Sequence, residues 1–218
     1  MSLFDAKFYD FNIHPDPSHS ITQLALEAKR YGYSGIAIIN SGVTSNEVLP
    51  PNFSIYIGVE ITGRPSRIRE EIKKHKTGIL TVLGGNEELN RAAVETEGLD
   101  ILLQPEEFNN VLAKAAGDNS IAIGFNLGSL THRRGEARVR ELMLMRTNLR
   151  HARKYHLSMV LTCSAHSIYD LRSPREKAAL AGLFGMTQKE AVMAMSATPR
   201  GILRRKSSDY IQEGIEIV

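Results

Sequence analysis

A chain of 218 residues, 42% apolar and 23% charged, is long enough to bury a full hydrophobic core and too ordinary in composition to read as disordered. No apolar run reaches the length that spans a membrane, so no membrane partner is expected. Cys163 is the only cysteine, which excludes an intrachain disulfide; with no basic start and apolar run in Met-Ser-Leu-Phe-Asp-Ala-Lys, no signal peptide is expected and the expected location is cytoplasmic.

In chain order, short apolar runs rich in β-branched residues alternate with helical patterns. A strand over Phe8–Ile13 is followed by a helix over Ile21–Tyr31, then by strands over Gly35–Ile39 and Ile55–Ile61. A helix at Arg67–Lys76, a strand at Gly78–Leu83 and a helix at Glu87–Glu95 come next. The pattern continues with strand Asp100–Leu103, helix Glu107–Ala116, strand Ile121–Phe125, the long helix Ala137–Tyr155 and strand Ser158–Thr162. Helices at Pro174–Phe184 and Gln188–Ser196 complete it. Ser20 with Gln23, Ser173 with Glu176 and Thr187 with Glu190 each have the spacing of a capping box.

Repeated βα units with nearly continuous apolar strands imply a parallel sheet covered on both faces. An open doubly wound sheet would carry a glycine fingerprint after its first strand, and Phe11-Asn-Ile-His-Pro-Asp-Pro has no glycine. The expected fold is therefore a TIM-type (β/α) barrel of seven to eight parallel strands ringed by helices, with residues 1–218 as a single domain.

Three expected strand ends carry metal-capable groups: Asp10, Asn12 and His14 on the first, Glu60 on the third, and Cys163, Ser164 and His166 after the seventh. In a barrel these ends converge on one face. Asn12 and His14 alternate, so they should project together. This arrangement resembles the metal site of the polymerase and histidinol phosphatase (PHP) superfamily, in which His-x-His, a Glu and Asp-x-His supply ligands. Here Asn12 stands for one His and Ser164 for the Asp, so Asn12, His14, Glu60, Ser164 and His166 read as a degraded site. Neutral Asn and Ser are poor ligands for transition metals. Two other readings remain: a PHP-like metal-dependent phosphoesterase using His14, Glu60 and His166, and histidines that only plug the barrel mouth by hydrogen bonding. No catalytic residue and no metal bound by the chain is expected. Cys163 is expected to be a buried structural thiol.

The net charge of +3 conceals an asymmetry, since residues 131–206 carry 16 Lys+Arg against 5 Asp+Glu. Such a segment suits an anionic partner. Arg146, Arg150 and Arg153 form a helical stripe in which no acid three or four residues away pairs with Arg150. Arg138 and Arg140 open the same helix. Arg64 and Arg67 follow the third strand, Arg133 and Arg134 the sixth, and Arg172 and Arg175 the seventh, so these six are expected on the barrel face that holds the degraded site. Arg204 and Arg205 add a C-terminal cluster. Aromatics at 6% with no Trp are few for a stacking surface, which favours recognition of structured RNA by backbone and shape.

Phe8-Tyr-Asp-Phe-Asn-Ile-His-Pro, Gly32-Tyr-Ser-Gly-Ile-Ala-Ile-Ile, Gly58-Val-Glu-Ile, Cys163-Ser-Ala-His-Ser-Ile-Tyr-Asp-Leu-Arg-Ser-Pro-Arg-Glu and Ala197-Thr-Pro-Arg-Gly-Ile-Leu resemble the archaeal ribonuclease P protein component 3 family, relatives of the eukaryotic 30-kilodalton subunit. The resemblance implies a PHP-like barrel and a subunit of the ribonucleoprotein endonuclease that removes 5′ leaders from precursor tRNA. It implies that the RNA carries the chemistry with Mg2+ and that the isolated chain is not catalytic. The implied partners are the catalytic RNA of ribonuclease P, precursor tRNA, ribonuclease P protein component 2 as the other half of a heteromeric pair, and further ribonuclease P proteins.

Overall fold

All seven expected strands form, side by side in chain order. The computed structural model describes residues 6–17, 19–41, 49–207, 210–212 and 215–216, the last two stretches by backbone alone. Strands β1 (Phe8–Ile13), β2 (Tyr33–Ile39), β3 (Ser54–Ile61), β4 (Ile79–Leu83), β5 (Ile101–Leu103), β6 (Ala122–Asn126) and β7 (Met159–Thr162) make one parallel sheet in the order β1 to β7. Its edges almost meet: Ile13 bridges Ala165 just beyond β7, and the His14 amide donates to the Ala165 carbonyl at 2.8 Å. The result is a nearly closed TIM-type barrel ringed by helices.

Two apolar layers hold it. Tyr9, Phe11, Ala37, Ile79, Ile101, Leu103, Ala122 and Val160 form one buried cluster, with Tyr56 packed against it. The Tyr9, Phe11 and Tyr56 rings meet at 6.0 to 6.3 Å and fill the barrel interior, which is a packed core and not a channel. A larger cluster takes the opposite strand faces, including Phe8, Ile13, Tyr33 and Ile36, and packs them under the helices.

Helices α1 (Ile21–Arg30), α2 (Pro65–Lys74) and α3 (Glu87–Val94) lie within two residues of expectation at every end. Helix α4 (Asn110–Asp118) begins later than the expected Glu107 because Asn109 accepts from the Val111 and Leu112 amides and so sets the cap. Helix α5 (Gly128–His132) was not expected; a Cβ at Gly128 would lie 2.1 Å from the Cys163 carbonyl oxygen, so this short turn needs glycine to approach the end of β7. Helices α6 (Gly135–Lys154), α7 (Pro174–Gly182) and α8 (Gln188–Met195) match expectation, and all three expected capping boxes form, at Ser20, Ser173 and Thr187. Helix α9 (Ala197–Arg205) and a small antiparallel pair, β8 (Tyr210–Gln212) and β9 (Ile215–Glu216), are additions to the expected set.

Candidate functional site at the barrel mouth

The polar residues of β1 divide between the two faces of the sheet. Tyr9 and Phe11 point into the barrel and Phe8 packs outside. The β1–β2 register then slips between Asp10 and Ile13, so that Ile13 packs outside although strict alternation from Phe11 would place it inside. This bulge shifts the phase by one residue and turns Asn12 and His14 together into the mouth. Asp10, grouped with them on sequence, lies on the outer side. There it is buried and forms an ion pair with Lys177 of α7, accepts from Thr162 Oγ1 at 2.6 Å, and sits beside Tyr33, whose ring lies 5.0 Å from Lys177 Nζ. Burial alone would push the Lys177 ammonium toward its neutral form. The Asp10 carboxylate outweighs that and holds its pKa above the usual lysine range.

At the mouth Glu60, Asn12, His14 and His166 do come together. The Asn12 amide nitrogen donates to Glu60 Oε2 at 2.9 Å, and Asn12 Oδ1 lies 2.9 Å from His14 Nε2. Glu60 fixes the amide's orientation, so its oxygen is the acceptor and His14 Nε2 must carry the proton. The His14 and His166 rings stack at 5.0 Å, and Glu60 Oε2 is 3.6 Å from His14 Nε2. Burial pushes the Glu60 carboxyl up, but the hydrogen bonds from His14 and Asn12 and the charge of the two histidines hold it below the usual glutamate range.

This donor set does not fit the metal centre that the PHP resemblance implies. A protonated Nε2 cannot ligate, Asn12 is spent within the cluster, and the Ser164 hydroxyl is neutral. Among the described residues no three His, Cys, Asp or Glu side chains are grouped so as to hold a metal ion. Cys163 is buried, and burial pushes its thiol up to about 12, with nearby Lys177 only partly offsetting this. It is no nucleophile at neutral pH.

Strand ends at the mouth are conformationally unusual. Asn40 after β2, Gln104 after β5 and Ser164 after β7 have φ of 52°, 50° and 44°. For residues with a Cβ this region is costly and is kept where the surroundings demand it. Asn40 does so by exchanging side-chain bonds with the Glu60 backbone at 3.1 and 3.2 Å. Gln104 donates to Glu141 at 2.6 Å and accepts from the Asn126 amide at 3.1 Å.

The arginines separate into three places. Arg64 and Arg67 at the start of α2 and Arg134 before α6 are exposed at the mouth, and among the described residues no ion pair or side-chain hydrogen bond engages them. Arg67 shares a cleft of about 480 Å³ with Asn40, Glu60 and His75. Arg133 is also here but its guanidinium meets Glu141, which is 4% exposed, at 2.9 Å. Arg138 donates to the Arg133 carbonyl at 2.8 Å and Arg140 lies 3.6 Å from Glu136. Arg172 reaches back to the Tyr169 and Leu171 carbonyls at 2.6 and 2.7 Å.

On the outer surface of α6, the stripe is less free than its sequence suggests. Arg153 makes two bonds to Glu190 of α8 at 2.7 and 2.8 Å, Arg146 donates to the Leu183 carbonyl at 3.1 Å, and Arg150 to Thr147 at 3.2 Å. The third group is at the far end of the barrel. Arg175, expected at the mouth, instead opens onto a cavity of about 590 Å³ with Phe8, Gly32 and Gln188, at the N-terminal ends of β1 and β2. The chain from Cys163 to Ser173 descends the flank of the barrel, and Tyr33 anchors it by donating to the Arg172 carbonyl at 2.7 Å. Arg204 and Arg205 line another cavity at that end, of about 390 Å³, beside Ser120 and Ser158.

Residues 7–209 match the family model described as RNase P subunit p30. The chain belongs to the RNase P subunit p30 family. It is 40% identical to ribonuclease P protein component 3 of Methanococcoides burtonii over 99% of this chain and 95% of that protein, and 33% identical to the component 3 of Methanothermobacter thermautotrophicus over 97% and 96%. A chain in a cryo-EM structure of archaeal ribonuclease P with mature tRNA superposes with a TM-score of 0.76 at 22% identity, covering 95% of this chain and 97% of that one. A Xaa-Pro dipeptidase has the same fold with a TM-score of 0.64 at 9% identity, over 92% of this chain and 76% of the dipeptidase. Family membership makes this chain a ribonuclease P protein subunit, part of the holoenzyme that processes tRNA 5′ ends, and the p30 family reading prevails over that of a phosphoesterase.

Sequence reasoning missed several residues at the mouth. Gln104, Asn126 and Glu141 carry no motif; only their shared network reveals them. Tyr169, within the motif that follows β7, is 76% exposed.

Proposed function

We propose that the chain serves ribonuclease P by binding and stabilising the catalytic RNA, with Arg64, Arg67 and Arg134 neutralising phosphates around the barrel mouth. Bringing RNA backbones together for Mg2+-dependent cleavage of precursor tRNA costs electrostatic repulsion, and a guanidinium fork suits phosphate oxygens. The observation that carries this reading is the exposed set of mouth arginines surrounding a polar cluster in which Asn12 donates to Glu60 and His14 to Asn12. Arg138 extends the set. Ribonuclease P protein component 2 is the proposed protein partner.

Reconstitution tests it. The chain is added to the catalytic RNA and precursor tRNA with and without component 2, and cleavage stimulated by the pair is expected. Arg67→Ala with Arg134→Ala should raise the Mg2+ requirement and lower the log–log salt slope of RNA binding by about 2, near 0.9 per phosphate lost. Arg133→Ala is a poorer probe, since it strands buried Glu141. Unchanged Mg2+ dependence with unchanged RNA affinity defeats the arginine assignment. Robust phosphoesterase turnover by the isolated chain with stoichiometric Mn or Zn defeats the whole reading.

A further inference from the structure

We propose that the Tyr169 ring is a stacking platform for one unpaired nucleobase of RNA, an inference that rests on the RNA-binding reading above and adds a base contact to it. At 76% Tyr169 is the most exposed large hydrophobic side chain among the described residues, ahead of Met143 at 62%. The loop that carries this exposed ring is braced. Asp170 Oδ2 accepts from the His166 amide, the Ser167 amide and Ser167 Oγ at 3.2, 3.0 and 2.9 Å. The Arg172 guanidinium ties the Tyr169 carbonyl at 2.6 Å. The His19 ring meets the tyrosine edge-on at 5.9 Å and an interplanar angle of 86°. Such bracing lowers the ordering cost of a contact made by the ring.

The surroundings select a nucleobase over an apolar protein side chain. His19 meets the ring, Ser167, Asp170 and Arg172 flank it on the same loop, and His132, which precedes Arg133 and Arg134, lies 3.5 Å from Asp170. A protein anchor normally fills a well-packed, desolvated pocket near the centre of its interface, whereas Tyr169 stands alone on an exposed polar loop. The exposed Val139 and Met143 belong to α6, and Leu183 follows α7. A lone exposed ring on a loop near the basic segment Arg133–Arg134 matches a base with its phosphate attached. Paired bases within a helix show no open face, so the base must be unpaired or splayed out.

The chain contains no Trp, so Tyr169→Trp gives a single reporter. The probes are a short single-stranded RNA of mixed sequence and an abasic oligomer of equal phosphate count. The RNA should quench the reporter and the abasic oligomer should not. Tyr169→Ala should weaken RNA binding about ten-fold while leaving abasic binding and the salt slope unchanged, and Tyr169→Phe should bind as wild type. Equal quenching by both oligomers, or Tyr169→Ala binding RNA as tightly as wild type, overturns the platform. So does burial of position 169 by a protein subunit in the assembled holoenzyme when single-stranded RNA leaves the reporter untouched. A wild-type chain that binds neither the oligomer nor the catalytic RNA defeats the RNA-binding reading itself.

Discussion

Asp10 on β1 and His14 just past its end lie four residues apart, yet they end on opposite sides of the sheet. One bulge separates them. Below it, Asp10 meets Lys177 where neither side chain touches water, and Thr162 fills another of its acceptor sites. Above it, buried Asn12 joins His14 and Glu60, both partly exposed, in a chain of hydrogen bonds at the edge of solvent. Both clusters consist of residues that chemistry uses, but their surroundings give them different work. A fully buried pair is bound to its geometry, because each charge depends on the other. A cluster with two members at the edge of solvent can lose one of them and have water replace it.

The largest difference should appear when the buried pair is broken. Lys177→Met leaves the Asp10 carboxylate without its cation and should cost about 3–5 kcal/mol of unfolding free energy in denaturant titrations. Replacing both, Asp10→Leu with Lys177→Met, should recover much of that loss, since two buried charges are then removed together. A loss under about 1 kcal/mol for Lys177→Met would mean that the pair is not isolated from water and that the contrast with the mouth is false.

Cys163 reports the same dry environment by reactivity. Its thiol is pushed up to about 12 by burial, with Asp10 adding to the effect and Lys177 partly opposing it. Relative to an ordinary thiol near 8.5, the reactive thiolate is scarcer by about a thousandfold at pH 8. Alkylation of the native chain should therefore run at least about a thousandfold slower than in denaturant, followed by mass. Labelling at the unfolded rate would show that the layer beneath β1 opens readily.

Much of this architecture was legible in the residues. Strands and capped helices announce themselves through period and through pairs such as Thr187 with Glu190, because these signals are local. The convergence of Asn12, Glu60 and His166 was also readable, since strand ends of a barrel must meet. What was hidden depended on contacts far apart in sequence. Lys177 looks like any surface lysine until α7 lays it against β1. Arg153 looks unpaired until α8 brings Glu190 to it. Arg175 follows β7 and was expected at the mouth, but the long descent from Cys163 to Ser173 carries it to the other end of the barrel. Strand-end reasoning holds for residues that turn directly into the next helix, and fails for those that travel first.

The smallest effect is expected at the mouth. Glu60→Gln keeps an acceptor for the Asn12 amide and removes one half-buried charge, so it should cost less than about 1 kcal/mol at neutral pH. Glu60 sits below the usual glutamate range in the folded chain, which means its contribution is present above the unfolded value near 4.3 and is lost as pH falls through the folded value. The stability gap between wild type and Glu60→Gln should therefore be largest near neutrality and close as the pH falls below about 4. Cleavage by the reconstituted holoenzyme should be unaffected at neutral pH, because Asn12 and His14 direct their donors at acceptors within the cluster. A loss of several kcal/mol would place Glu60 with the buried pair, and a loss of cleavage without a loss of stability would return the mouth cluster to the chemistry.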